Sequence, residues 1–140
     1  MRVADLMRKT VETVREDGSA EHALKRMRAK RLRHIVVVRG QRVVGIVSDR
    51  DVAALFVEGL RTDRTIDQVM SREVATALPG DSIEDAAKRM RRRKIGALPV
   101  VDGGRLVGIL TVSDLLAWIE KRFRPRRRTT RASGRMRSRP

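Results

Sequence analysis

Gly45-Ile46-Val47-Ser48-Asp49-Arg50-Asp51 returns as Gly108-Ile109-Leu110-Thr111-Val112-Ser113-Asp114, 63 residues further along the chain. Both stretches open on glycine, run through two aliphatic residues into a hydroxyl residue, and close three residues later on aspartate. The shift holds far beyond the motif. Residues 3–55 lie on residues 66–118 without a gap, and about 19 of the 53 aligned positions are identical. Met7 falls on Met70, Ser19 on Ser82, and Lys25-Arg26-Met27-Arg28 on Lys88-Arg89-Met90-Arg91. One supersecondary unit has been duplicated.

Each unit reads β-α-β-β-α. Residues 11–14 and 74–77 are short strand candidates. Ser19 and Ser82 are good N-caps, and Ser82-Ile83-Glu84-Asp85 is a partial capping-box pattern. Behind them Ala20, Ala23, Leu24 and Met27 make a helical apolar stripe, repeated by Ile83, Ala86, Ala87 and Met90. Residues 35–38 and 98–101 are β-rich runs that turn through Arg39-Gly40-Gln41 and Asp102-Gly103-Gly104 into residues 43–48 and 106–111. These hairpin strands are too uniformly apolar to have a wet face, so their sheet is covered. Second helices follow at 49–58, stopped by Gly59, and at 113–123, stopped near Pro125. A unit of about 55 residues buries too little by itself. The expected fold is therefore α+β, two such motifs packed sheet to sheet about a pseudo-twofold axis. The expected division is a first motif over 1–58, a linker over 59–64, a second motif over 65–123 and a basic tail over 124–140.

Composition removes several classes of function. There is no cysteine, which excludes disulfides, thiol nucleophiles and cysteine-ligated zinc, and the two histidines, His22 and His34, leave little for a metal site. No Ser/His/Asp set, P-loop or Gly-x-Gly-x-x-Gly occurs, so no catalytic residue is expected. The longest apolar runs are too short to cross a bilayer and no signal-peptide pattern opens the chain, so a soluble, cytoplasmic protein is expected. Net charge is +16, but residues 121–140 carry ten Lys or Arg and no acid, leaving only +6 for the rest. The tail from Arg124 onward is rich in Arg, Thr, Ser, Gly and Pro. It reads as a disordered, solvated segment, or as a non-specific grip on nucleic acid or an acidic partner by counterion release. Aromatic residues amount to 2%, too few for a base-stacking platform.

The closing motifs have a chemistry of their own. Gly45 and Gly108 let backbone or a ligand approach the strand. Ser48 and Thr111 stand where a strand ends and a helix begins, so a hydroxyl and free helix N–H groups face one point, suited to phosphate. Asp51 and Asp114, three residues on, can accept the hydroxyls of a ribose. Phosphate and ribose acceptors at fixed spacing describe a nucleoside phosphate. The same Ser/Thr-x-x-Asp spacing is also an ordinary capping box.

The two motifs, with Ile95-Gly96-Ala97-Leu98-Pro99-Val100 and Leu32-Arg33-His34-Ile35-Val36-Val37 in support, match the Gly-h-h-[Ser/Thr]-x-x-Asp signature (h, apolar) of the tandem cystathionine β-synthase (CBS) domain pair, or Bateman module. The chain resembles that family over about residues 1–122. The resemblance implies a non-catalytic sensor with no obligatory cofactor. Its clefts would take an adenosine-containing ligand such as ATP, ADP, AMP or S-adenosylmethionine, with output in trans to a partner. Carried over position by position, it implicates Ser48, Asp51, Thr13, Thr111, Asp114, Thr76 and Ala97. It also implies a charged ligand tail near Arg33, His34 and Arg50, and a more neutral adenosine fit near Thr111 and Asp114. Gly96 and Ala97 there leave room but no cation, and Val36 departs from the family's strand proline, present as Pro99. Members of the family pair through apolar helices, which implies a homodimer through Leu55, Phe56, Leu115, Leu116, Trp118 and Ile119. Those residues could equally complete the intramolecular core. The alternative from another class is a dimerising scaffold that holds nucleic acid or an acidic partner through the tail.

Overall fold

A computed structural model describes residues 1–57 and 63–125, leaving aside the side chains of Phe56 and Val57. Most of the expected linker, the Gly59 helix stop and the tail beyond Pro125 lie outside the described residues. The elements run α1 (Val3–Leu6), β1 (Thr13–Arg15), α2 (Ala20–Ala29), β2 (His34–Arg39), β3 (Arg42–Ser48) and α3 (Asp49–Val57) in the first unit. A 3₁₀ turn (Ile66–Gln68) opens the second, followed by α4 (Ile83–Arg93), β4 (Ala97–Asp102), β5 (Arg105–Thr111) and α5 (Val112–Arg122). The α+β class and the duplicated pattern are as expected. Ser19 and Ser82 cap α2 and α4, accepting from the backbone N–H of His22 and Asp85 at 3.1 and 3.0 Å.

In the first unit β1 runs parallel to β2, and β2 antiparallel to β3. The second sheet is smaller, consisting of the β4–β5 hairpin alone. Residues 74–77 do not form the expected strand; only Ala77 bridges Val100. The cause is one missing hydrogen. Val36 donates its N–H to Glu12 O, whereas the equivalent residue is Pro99, which has no N–H to give Ala75. The β4–β5 turn places Gly103 and Gly104 at φ +60° and +81°, a pair of left-handed residues that glycine adopts at little cost.

Three apolar clusters fill the interior. One lies between the first sheet and α2 and α3, around Met27, Ile35, Val37 and Val47. Its counterpart in the second unit surrounds Met90, Leu98, Val100 and Leu110. Between the sheets, Val36, Ala97 and Ile109 pack with Val38, Val43, Ile46 and Leu106, and Leu106 N–H donates to Gln41 O at 3.0 Å. The methionines of both helical stripes, Met27 and Met90, are core residues.

The leading segments are exchanged. Val3 is fully buried in the second unit's cluster, with Leu6 and Met7 packed on it, while Ile66 and Met70 lie in the first unit's cluster. Burying each of Val3 and Ile66 is worth about 1.5–3 kcal/mol. Backbone bonds repeat the exchange: Val3 N–H to Asp81 O at 2.8 Å and Ile66 N–H to Gly18 O at 2.9 Å. So do the bridges Arg8–Ile109 and Ser71–Ile46. Each leading methionine then lies over the other unit's motif glycine. A Cβ on Gly45 would stand 2.5 Å from Met70 Sδ, and one on Gly108 would stand 2.6 Å from Met7 Sδ and 2.9 Å from the Arg8 carbonyl oxygen. The close approach expected at these glycines is made by the chain itself. Gly108→Ala should therefore lower unfolding free energy by about 1–3 kcal/mol, the cost of overpacking. Gly80→Ala, with nothing within 4 Å of the added carbon, should stay within about 0.5 kcal/mol. Urea unfolding of both variants checks this; equal midpoints would contradict the packing account.

Candidate functional site

β2 and β3 pair His34 with Ser48 and Val36 with Ile46, and β1 sets Thr13 against Val36. Directly paired residues share a face, so Thr13, His34 and Ser48 stand on the side of the first sheet that carries Val36 and Ile46 toward the second sheet. β3 then passes directly into α3, and Asp51 lies in its first turn with Ser48 Oγ accepting its N–H at 3.1 Å. Asp51 is exposed, and no described residue bonds its carboxylate. Arg33 and Arg50 are exposed as well, without a described ion pair; the Arg33 carbonyl accepts from Asp49 N–H at 2.9 Å.

His34 is half-buried, and burial pushes its pKa below the ordinary value. The Asp49 and Asp51 carboxylates pull it back up, while Arg33 pushes it down. These groups are therefore electrostatic neighbours. The imidazole also crosses between the units. A Cβ on Gly96 would stand 3.2 Å from His34 Cε1, so the room expected at Gly96 is partly taken by this ring.

The second unit repeats the plan with different contacts. Ala97 pairs with Thr111, buried in the inter-sheet cluster. Thr111 and Asp114 form a complete capping box: Thr111 Oγ1 accepts from Asp114 N–H at 3.2 Å, while Asp114 Oδ2 accepts from Thr111 N–H and hydroxyl at 3.0 and 2.9 Å. The other carboxylate oxygen, Oδ1, takes Arg8 Nε at 2.9 Å. The capping reading of the motif thus applies fully at Thr111 and Asp114, and by half at Ser48 and Asp51. Thr76 lies one residue before the single bridge rather than in a strand.

Several contributors carry no motif. Arg26 and Arg89, equivalent in the repeat, donate to the carbonyls of Thr13 and Thr76 at 3.0 and 2.7 Å. Arg26 also pairs with Glu12, a contact that holds the Glu12 carboxyl below its usual range. Asp81 is likewise lowered, first by the Leu78 N–H and then by Arg89. These bonds tie the backbone at Thr13 to α2 and at Thr76 to α4. The shared Lys-Arg-Met-Arg block was their sequence signal. For Arg8 the signal was a mismatch, since the equivalent residue is Ser71.

Among the described residues no group of three or more His, Asp or Glu could hold a metal ion, and no helix is long and apolar enough to cross a membrane.

A family model described as the CBS domain matches residues 3–58 and again 66–121. A homoserine O-acetyltransferase of Methanococcoides burtonii is 41% identical over 115 residues, which are 81% of this chain and 23% of that protein. The chain thus spans about a quarter of that relative's length. Among solved structures, the CBS domain pair of protein MJ0100, in complex with 5-methylthioadenosine and S-adenosyl-L-methionine, superposes with a TM-score of 0.80 at 27% identity. That match covers 87% of this chain and 98% of the other. The CBS domain protein PAE2072 from Pyrobaculum aerophilum, complexed with AMP, gives 0.77 at 26% identity, covering 82% and 90%.

The His34 environment has a measurable consequence. The unfolded chain takes up the histidine proton first as pH falls, so the stability held by neutral His34 is complete above about pH 6.5 and declines below it. Thermal unfolding between pH 8 and 5.5 should show a smaller loss for His34→Gln than for wild type. Superimposable pH profiles would contradict the assignment.

Proposed function

The chain belongs to the CBS domain family, and from that premise we propose that it is a non-catalytic regulatory module that binds an adenosine-containing ligand between its two units. One observation carries the reading furthest: Asp51 presents an exposed carboxylate in the N-terminal turn of α3, three residues after Ser48, which shares a side of the sheet with His34 and Thr13. Asp51 accepts the ribose hydroxyls. Ser48 and the positive N-terminal end of α3 face the phosphate, with Arg33 and Arg50 drawing on its charge and His34 offering a ring N–H. Relatives of the same fold that hold AMP, 5-methylthioadenosine and S-adenosylmethionine support an adenosine ligand class. The proposal concerns the module alone and does not extend to acetyl transfer.

A ligand touching both units favours one arrangement of the sheets, and its differential affinity for that arrangement is the signal passed to a partner protein. The same reading has two copies pairing through α3 and α5, with α4 beside them. Leu116 and Ile119 are 60% and 43% exposed, and they border an apolar groove of about 420 Å³ with Met90, Ile95 and Val112. Leu115 and Trp118 also serve the second unit's own core, with Arg122 over the indole at 5.6 Å, and Leu115 lines the groove as well.

A ligand present at 100 times its dissociation constant should stabilise the chain by about 2.7 kcal/mol, several degrees in a thermal-shift assay. AMP, ATP and S-adenosylmethionine are the compounds to screen. Asp51→Ala removes charge-assisted bonds to the ribose and should weaken binding about 10- to 100-fold. No shift with any of these compounds would overturn the sensor reading.

A further inference from the structure

The exchange of leading segments does not treat the two clefts alike. Arg8 and Ser71 hold equivalent places: Arg8 makes a pair of backbone bonds with Ile109, 2.9 and 3.0 Å, and Ser71 makes the same pair with Ile46, 2.9 and 3.1 Å. The backbone therefore delivers residue 8 to the start of α5 and residue 71 to the start of α3. Only at the first of these places is the delivered side chain a cation long enough to reach the motif aspartate. Arg8 Nε binds Asp114 Oδ1 at 2.9 Å, and the Asp114 side chain is left 9% exposed against 59% for Arg8. With Oδ2 turned back onto Thr111, both carboxylate oxygens are in use. Asp51 faces no such partner among the described residues, and its own carboxylate is not folded back onto Ser48.

Resting on the adenosine reading above, we infer that Arg8 is an internal occupant of the second cleft, which confines ligand binding to the cleft of Ser48 and Asp51. Asp114 can accept both ribose hydroxyls only by releasing Arg8, because Oδ2 already takes two bonds and Oδ1 one. A bond to an ionised group must then be exchanged for bonds to neutral hydroxyls, a net loss. Asp51 makes the same contacts with nothing to release. One ligand per chain then leaves the module occupied asymmetrically. Such occupancy distinguishes the two ends of a near-symmetric body, which two identical ligands would not. Arg8 is thus a specificity-determining residue placed in one unit and serving the other.

The test compares the full chain with Arg8→Ser, which installs the residue of the equivalent position, and with Arg8→Gln, which keeps most of the stem. Isothermal titration with AMP and with S-adenosylmethionine counts sites. Wild type should show one site per chain, weakened about 10- to 100-fold in Asp51→Ala and retained in Asp114→Ala. Both Arg8 variants should show a second site at least about tenfold tighter than any residual binding there in wild type, and Asp114→Ala should remove it. Two wild-type sites of similar affinity, or a single site persisting in both variants, would overturn the inference while leaving the sensor reading intact. Weaker binding in the variants would also overturn it, by making Arg8 a ligand contact. Binding by the Arg8 variants alone would keep Arg8 as the occupant of the second cleft and overturn the assignment of the ligand to Ser48 and Asp51. Silence from every chain would overturn both.

Discussion

A methionine lying over a glycine, made twice, is the contact on which this fold depends. Met7 covers Gly108 and Met70 covers Gly45, and in each pair the two residues come from different repeats. Any side chain at either glycine would enter space that the sulfur and the neighbouring backbone already fill. The contact also ties each leading segment to the far sheet, through Val3 in one cluster and Ile66 in the other. Neither repeat closes its own core. A duplicated unit too small to be stable alone becomes one body because each copy carries the piece the other lacks.

That exchange produces near-twofold symmetry, and the departures from it give the two motif sites different chemistry. Pro99 in place of Val36 removes a ladder hydrogen bond and leaves the second sheet with two strands. His34 in place of Ala97 puts a titratable ring across the interface, over Gly96. Arg8 in place of Ser71 satisfies one motif aspartate and leaves the other open. The last two changes are single side chains on a shared backbone plan, whereas Pro99 also alters the sheet itself.

Much of this was legible in the sequence, for identifiable reasons. The 63-residue shift, the serine caps, the apolar stripes around Met27 and Met90 and the two hairpins all rest on local periodicity, and the structure agrees with them. The exchange was not legible. Val3 and Ile66 sit in segments of four and three residues, too short for any pattern to say which core receives them. The false strand over 74–77 came from reading the segment without its partner, because the deciding residue, Pro99, lies on the neighbouring strand. Arg8 and Asp114 are 106 residues apart, and only the fold brings them together. Trp118 and Leu115 read equally as a partner face or as core, because a one-dimensional helix pattern does not separate the side toward the sheet from the side toward solvent; the structure packs both on the second unit's cluster. Ser48, Asp51, Thr111 and Asp114 were singled out because motif and repeat coincide; which of the two aspartates has its carboxylate already bonded is decided by the fold.

If the exchanged segments make one core of two repeats, both must open together. Native-state hydrogen exchange across a denaturant series measures that directly, through the slowest amides of the first sheet (Ile35, Val37 and Val47) and of the second (Leu98, Val100 and Leu110). The account predicts that the two sets converge on a single opening free energy equal to that of global unfolding. A second sheet that opens at a distinctly lower free energy while the first stays protected would contradict it, and would show two units that merely touch.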